Sequence, residues 1–136
     1  MKELMKTNIY DVKDTITIVG SCVQYMQPKG FEKFINISNN IYEICLEKTH
    51  INMAISKIGG MLRTGKIKEL IFVSVDKSPH CVQLHYIQEE LRKMMNIESI
   101  SIKNFVLVDN ELIEIKPEII SLSKNLSSLK KLSEKL

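Results

Sequence analysis

Tryptophan is absent from this sequence, and glycine, proline and cysteine are scarce, with five, three and three residues among 136. So little glycine and proline excludes collagen-like, mucin-like and other low-complexity chains. Three cysteines are an odd number, which argues against the disulfide framework of a small secreted protein. Apolar residues make up 44% and charged residues 26% of the chain. These proportions are typical of a globular domain that folds without a structural metal or disulfide.

Long runs of one kind of residue are missing as well. No segment approaches the ~18 consecutive apolar residues of a membrane-spanning helix, and Met1–Lys6 lacks the apolar stretch of a signal peptide. The net charge of +3 is spread along the chain without a basic stripe, and no helix-turn-helix or zinc-finger spacing is present. We therefore expect a cytoplasmic protein that binds neither membranes nor nucleic acid.

Strand and helix patterns alternate along the chain. β-Branched or continuous apolar runs predict strands at residues 15–19, 41–46, 70–75 and 101–108, and a hairpin strand at 112–115. Apolar residues three or four positions apart predict helices at residues 51–62, 79–96 and 117–136.

This alternation is typical of a three-layer α/β domain. We expect a mainly parallel, Rossmann- or flavodoxin-like sheet, with the last strand antiparallel at its C-terminal side. A single domain is expected to span residues 1–136. It begins with a polar lead-in at residues 1–14 and ends with an amphipathic helix at residues 117–136.

The three cysteines follow three of the predicted strands. Cys22 comes two residues after the Gly20 that stops the first strand, Cys45 ends the second, and Cys81 follows the third. The carboxyl ends of parallel strands form one edge of a sheet, where ligands bind. We therefore expect the three thiols to meet at this edge, although each alone fits a buried core residue equally well.

His80 precedes Cys81, and together with the three cysteines it completes a possible set of metal ligands. Three thiolates and one imidazole suit zinc or an iron–sulfur cluster. No Cys-x2-Cys pair is present, so the fold itself has to assemble such a site. His50 and His85 are alternative fourth ligands.

A thiol enzyme is a different interpretation of Cys81. The segment Ser78-Pro79 predicts the start of a helix, which puts Cys81 in its first turn. Unpaired N–H groups and the helix dipole lower the pKa of a thiol there, as a nucleophilic catalytic cysteine requires.

The segment from Cys22 to Phe34 resembles part of the C-terminal domain of ferredoxin-type iron–sulfur proteins from anaerobic bacteria and archaea. Cys45 and the stretch from Lys68 to Cys81 match two further landmarks of that family in order, and the resemblance covers roughly residues 15–115. His80 stands where the family has a cysteine, and the ferredoxin portion is missing. The resemblance implies a metal or iron–sulfur centre and a separate ferredoxin-like protein as electron donor.

Three hypotheses follow. The leading one is a redox-associated protein of an anaerobe that binds zinc or an iron–sulfur cluster through Cys22, Cys45, Cys81 and His80. The second is an assembly module without chemistry, in which the cysteines are core residues and the C-terminal helix docks on a partner. The third is a thiol enzyme that uses Cys81 as its nucleophile. The sequence leaves open whether the protein is an enzyme.

Overall fold

The computed structural model of the protein describes residues 1–35 and 40–136. Within these residues six strands form one sheet, and six α-helices and three 3₁₀ helices connect them. The strands are β1 (Lys2–Glu3), β2 (Asp14–Gly20), β3 (Ile41–Ile44), β4 (Ile67–Val75), β5 (Ser101–Val108) and β6 (Glu111–Glu114). The α-helices are α1 (Val23–Met26), α2 (Pro28–Ile35), α3 (Ile51–Arg63), α4 (Ile87–Met94), α5 (Pro117–Ser123) and α6 (Leu126–Glu134). The 3₁₀ helices are Leu4–Lys6, Ile9–Asp11 and Cys81–Tyr86.

The strand order is β1-β3-β2-β4-β5-β6, and every neighbouring pair is parallel except β5 and β6. The predicted three-layer α/β fold with a C-terminal antiparallel strand is therefore confirmed. No helix in the described ranges is long and apolar enough to cross a membrane.

The two faces of the sheet are covered differently. One face, which we call the helix-rich face, packs β2 and β4 side chains such as Ile18 and Phe72 against α3, α4 and the 3₁₀ helix Cys81–Tyr86. The opposite face, which we call the open face, packs Val19 and Val73 against α1 and α2. The direction of each crossover explains the difference. Right-handed connections to β4 and β5 run one way along the sheet, whereas the connection from β2 to β3 runs the other way.

The α2 helix is held to the β5–β6 hairpin by close contacts at Gly30. The hairpin turn, Asp109–Asn110, has positive φ at both residues, which is typical of a two-residue type I′ turn. The Gly30 N–H donates to Asn110 Oδ1 at 3.0 Å. A Cβ atom on Gly30 would lie 2.9 Å from the Asn110 Cα and 2.8 Å from a Leu107 methyl carbon, so only glycine fits here.

Three sequence predictions are corrected. The polar lead-in at residues 1–14 is structured. Lys2–Glu3 pairs with β3, and two apolar residues of the lead-in, Leu4 and Val12, are buried in the core. The single helix expected at residues 117–136 is two helices, because the Asn125 side chain accepts from the Ser128 N–H and caps a new helix. The helix expected at 79–96 begins as a 3₁₀ helix, whose i, i+3 repeat puts Cys81 and Leu84 on one side.

The close approach at Gly30 predicts the effect of substitution. Gly30→Ala should lower the free energy of unfolding by about 1–3 kcal/mol, because backbone atoms of the hairpin must move away from the new methyl group. Gly59→Ala in the interior of α3 is the control. Its Cβ meets a Leu91 methyl carbon at an ordinary 3.5 Å, and the helix gains about 0.4–1 kcal/mol. Urea unfolding of both variants measures the difference, and equal stabilities would contradict the packing described.

Candidate functional site

Strands β2 and β4 are neighbours, and the connections that follow their carboxyl ends run in opposite directions along the sheet. The chain leaves β2 towards β3 on one side and leaves β4 towards β5 on the other. Such a switch in direction opens a crevice at the edge of an α/β sheet, and ligands bind there. The crevice lies beside Gly20 and Val75, the last residues of these two strands.

A cavity of about 210 Å³ occupies this edge. Its lining includes all four residues predicted from the sequence as metal ligands, Cys22, Cys45, His80 and Cys81. A second cavity of about 380 Å³ adjoins it and shares Cys22 and Cys45. The strand ends therefore bring the three thiols to one edge of the sheet.

Only two of the thiols are in contact. The Sγ atoms of Cys22 and Cys81 lie 3.7 Å apart, and either thiol is able to donate to the other. Cys22 is half-buried, whereas Cys81 is buried behind it. His80 is half-exposed, and its Nδ1 lies 4.0 Å from Glu47 Oε2 at the outer side of the cavity. The site is thus a pair of thiols with a third thiol and an imidazole on the wall.

Gly20 makes room for the sulfur of Cys81. A Cβ atom on Gly20 would lie 2.1 Å from Cys81 Sγ and 3.9 Å from Cys22 Sγ. The sulfur of Cys81 therefore sits where any other residue at position 20 would place its side chain. The Ser78 hydroxyl accepts from the Cys81 N–H at 3.2 Å and fixes the backbone of the first turn.

The pKa of Cys81 moves in the direction opposite to the one expected for a helix start. Burial raises the pKa of this thiol to about 12, and the neighbouring Cys22 adds to the rise, while backbone and Ser78 hydrogen bonds offset part of it. A short 3₁₀ helix supplies no dipole to outweigh burial. The expectation of a low-pKa nucleophile at Cys81 is therefore corrected.

The metal ligands predicted from the sequence do not form a ready site. Within residues 1–35 and 40–136, no group of three or more His, Cys, Asp or Glu side chains is arranged to hold a metal ion. The two alternative histidine ligands have other roles. His50 accepts from the Asn52 N–H at 3.2 Å and caps α3, and His85 is buried in a hydrogen-bond network.

This network fastens the 3₁₀ helix Cys81–Tyr86 to the sheet. The Nδ1–H of His85 donates to Asn104 Oδ1 at 2.9 Å, so Nε2 accepts from the Ser74 hydroxyl at 2.7 Å. Gln88 donates to the same Asn104 oxygen at 2.7 Å. Ser74 and Asn104 lie on β4 and β5, and all four side chains are about 1% exposed. Their burial keeps them from solvent, and their hydrogen bonds hold in place the helix that carries Cys81.

Burial also lowers the pKa of His85, and the hydrogen bond to Asn104 offsets part of this shift. The imidazole is therefore neutral in the folded protein near neutral pH. Gly20, Ser74 and Asn104 were not predicted from the sequence as parts of the site. A glycine after a β-branched run indicates only that a strand stops, and Ser74 and Asn104 are polar residues inside otherwise apolar strands.

The fold and this edge define an α/β protein with a thiol-lined crevice at the switch point of its sheet. Residues 12–135 match the family described as the Rossmann-like domain, and the chain belongs to that family. No curated protein and no solved structure matches the chain.

The contact between Gly20 and Cys81 predicts that substitutions at these two positions have coupled effects on the free energy of unfolding. Gly20→Ala should lower the free energy of unfolding by about 1–3 kcal/mol, because the new methyl group overlaps the sulfur. Cys81→Ala alone also destabilises, since it leaves a small cavity. In the double variant the new methyl group at position 20 fills the space that the sulfur left. Denaturant unfolding of the four proteins should give a double variant more stable than the sum of the single effects. Additive effects would contradict the contact.

The buried neutral His85 predicts a loss of stability in mild acid. The unfolded chain takes up a proton near pH 6.5 that the folded imidazole excludes, so the free energy of unfolding falls as the pH drops. The slope contributed by one proton is at most about 1.4 kcal/mol per pH unit. We expect this slope in unfolding measured between about pH 7.5 and about pH 5.5, and we expect it to be smaller in His85→Gln. His80→Gln, which removes a half-exposed imidazole outside the buried network, is the control for the loss of a histidine. An unchanged slope in His85→Gln would show that another group is responsible.

Proposed function

We propose that the protein is a thiol–disulfide redox protein whose Cys22–Cys81 pair cycles between two thiols and a disulfide. The observation that carries this proposal is the 3.7 Å separation of the two sulfur atoms at the switch point of the sheet. A disulfide needs a sulfur–sulfur bond of about 2.05 Å, so the two sulfur atoms must move closer together when the protein is oxidised. The substrate class is a disulfide, either small or part of another protein.

The exposure of the two thiols supports an order of attack. Cys22 is half-buried and lines both cavities of the edge, so a disulfide that enters from solvent reaches it first. Cys81 is buried, and its raised pKa keeps it protonated until the reaction brings it into use. Cys22 is therefore the attacking thiol and Cys81 the resolving thiol.

The exchange balances in atoms and electrons. The Cys22 thiolate attacks one sulfur of the substrate disulfide, R–S–S–R, and releases one R–S⁻, which takes up the proton that Cys22 lost. The Cys81 thiol then loses its proton and attacks Cys22 Sγ in the mixed disulfide. This step forms the Cys22–Cys81 bond and releases the second R–SH. The protein gives up two electrons and two protons, and the substrate disulfide becomes two thiols.

The predicted zinc or iron–sulfur centre is the competing use of the same residues. Cys22, Cys45, Cys81 and His80 share a cavity, which favours it, whereas the lack of an assembled ligand group among the described residues weighs against it. The resemblance to ferredoxin-type proteins, with its ferredoxin-like partner, stays a prediction. In the metal hypothesis Cys45 is a ligand, whereas in the thiol–disulfide hypothesis it takes no part in the exchange.

Oxidation of the reduced full-length protein with glutathione disulfide tests the proposal. We expect the free thiol count to fall from the three of the sequence to one, with a mass lower by two hydrogen atoms. Peptide mapping should then find Cys22 joined to Cys81. Cys22→Ser and Cys81→Ser should abolish the intramolecular disulfide. Cys45→Ser is the matched control, because Cys45 lines the same cavity outside the sulfur contact, and it should form the disulfide as the wild type does.

Three outcomes would overturn the proposal. The first is a disulfide that includes Cys45, and the second is oxidation that stops at glutathione mixed disulfides. The third is stoichiometric zinc or iron in anaerobically purified protein that is lost in each of the three Cys→Ser variants, since that result assigns all three thiols to a metal.

A further inference from the structure

The second cavity at the thiol edge, of about 380 Å³, lies beside Cys22 on the side away from Cys81. The sheet order β1-β3-β2-β4 puts the residues that follow β2 between those of β3 and those of β4. Cys81 follows β4, whereas the described lining of this cavity comes from β1, β3 and the segments that follow the first three strands. We call it the β3-side cavity. Its volume is within the range of about 300–1,000 Å³ that is usual for small-molecule pockets.

The proposed exchange requires space on that side of Cys22. Attack of a thiolate on a disulfide sulfur is a nucleophilic substitution, and its attacking, central and leaving sulfur atoms lie nearly in a line. Cys81 attacks Cys22 from the β4 side, so the substrate sulfur that leaves Cys22 has to lie on the β3 side. The bond from Cys22 to the substrate breaks there. Its electron pair leaves with the substrate sulfur, which takes up the proton given up by Cys81.

The lining of the β3-side cavity carries charges of both signs. It includes Lys48 and Glu43. In the described part of the chain, Lys48 makes no ion pair. The Glu43 carboxylate accepts a long hydrogen bond from the Ser21 hydroxyl at 3.5 Å. The other carboxylate of the lining, that of Glu3, is already paired with Lys6 at 2.9 Å. The cavity therefore offers one ammonium group and one carboxylate to a ligand.

The backbone fixes the places of both charges. The N–H groups of Lys48 and Thr49 donate to the Cys45 carbonyl at 3.1 and 2.8 Å, which closes the turn after β3. Glu43 lies on β3 itself, where the register places it beside Val19 of β2. The two charged side chains thus start from a strand and from a hydrogen-bonded turn, both next to the edge that carries the thiols.

From these observations we infer that the β3-side cavity binds one half of a small disulfide whose carboxylate faces Lys48 and whose ammonium group faces Glu43. The class is that of amino-acid and short-peptide disulfides, which carry both charges within a few bonds of the sulfur. A disulfide inside a polypeptide has uncharged peptide bonds at these places. The inference rests on the proposed thiol–disulfide function and names its substrate class.

A series of disulfide probes separates the two charges. Cystine carries both, cystamine only the ammonium group, and dithiodipropionate only the carboxylate. The disulfide of N-acetylcysteine amide carries neither charge and is the reference, because it has the chemistry of a disulfide within a polypeptide. The second-order rate constant for formation of the Cys22–Cys81 disulfide in reduced full-length protein is measured with each probe and divided by that of the reference. This ratio cancels any change in the reactivity of Cys22 itself.

Each substitution should act on one charge of the probe. Lys48→Met should lower the ratio about threefold for cystine and dithiodipropionate, as expected for the loss of one partly exposed ion pair, and should not lower it for cystamine. Glu43→Gln should lower the ratio about threefold for cystine and cystamine and should not lower it for dithiodipropionate. Lys66→Met is the matched control, because it removes the same charge just before β4, at the amino end of the sheet. It should keep the wild-type ratios.

Ratios that are equal in the wild type and the three variants overturn the inference. So does a Lys66→Met variant that changes the ratios as Lys48→Met does, since net charge and not the cavity would then select the probe. In both cases a Cys22–Cys81 disulfide that still forms leaves the proposed function standing. If no probe produces that disulfide, the proposed function fails and the substrate class fails with it.

Discussion

The buried hydrogen bonds that join His85 to Ser74 and Asn104 decide where the 3₁₀ helix Cys81–Tyr86 lies. Both partners are on central strands, so the imidazole joins the helix to β4 and β5 at once. A buried polar group is stable only when its partners are in place, and each of these groups has one. Since Cys81 and His85 belong to the same short helix, this anchor also fixes the sulfur of Cys81 over Gly20 and beside Cys22.

The thiol pair joins the core to the edge of the sheet. Cys81 belongs to the hydrophobic core of the helix-rich face, and it also contacts the sulfur of Cys22 and fills the space left by the missing side chain of Gly20. The half-buried Cys22 connects this contact to the cavities of the edge. In the thiol–disulfide exchange that we propose, this arrangement leaves Cys22 open to a substrate and Cys81 beside it to complete the exchange.

The α/β class was predictable because strand and helix periodicities are local signals. The edge at which the cysteines meet was predictable because each cysteine follows a strand, and the carboxyl ends of parallel strands share one edge of the sheet. The sequence did not predict which thiols touch, since the contact depends on the glycine at position 20 and on a helix held by residues 74 and 104. The structured first residues were missed because the apolar residues there, such as Leu4 and Val12, are interspersed with charged residues and follow no strand or helix period. The break before α6 was missed because a continuous leucine repeat masked the capping role of Asn125. Side-chain partners far apart in the chain leave no trace in periodicity.

The carbon-13 chemical shifts of the cysteine Cβ atoms, measured in reduced and oxidised protein, test the thiol pair most directly. Disulfide formation moves a Cβ resonance far downfield, and each cysteine is observed separately. The Cys22–Cys81 pair predicts that these two resonances move together while that of Cys45 stays in its reduced position. A shift at Cys45, or at only one member of the pair, would contradict it.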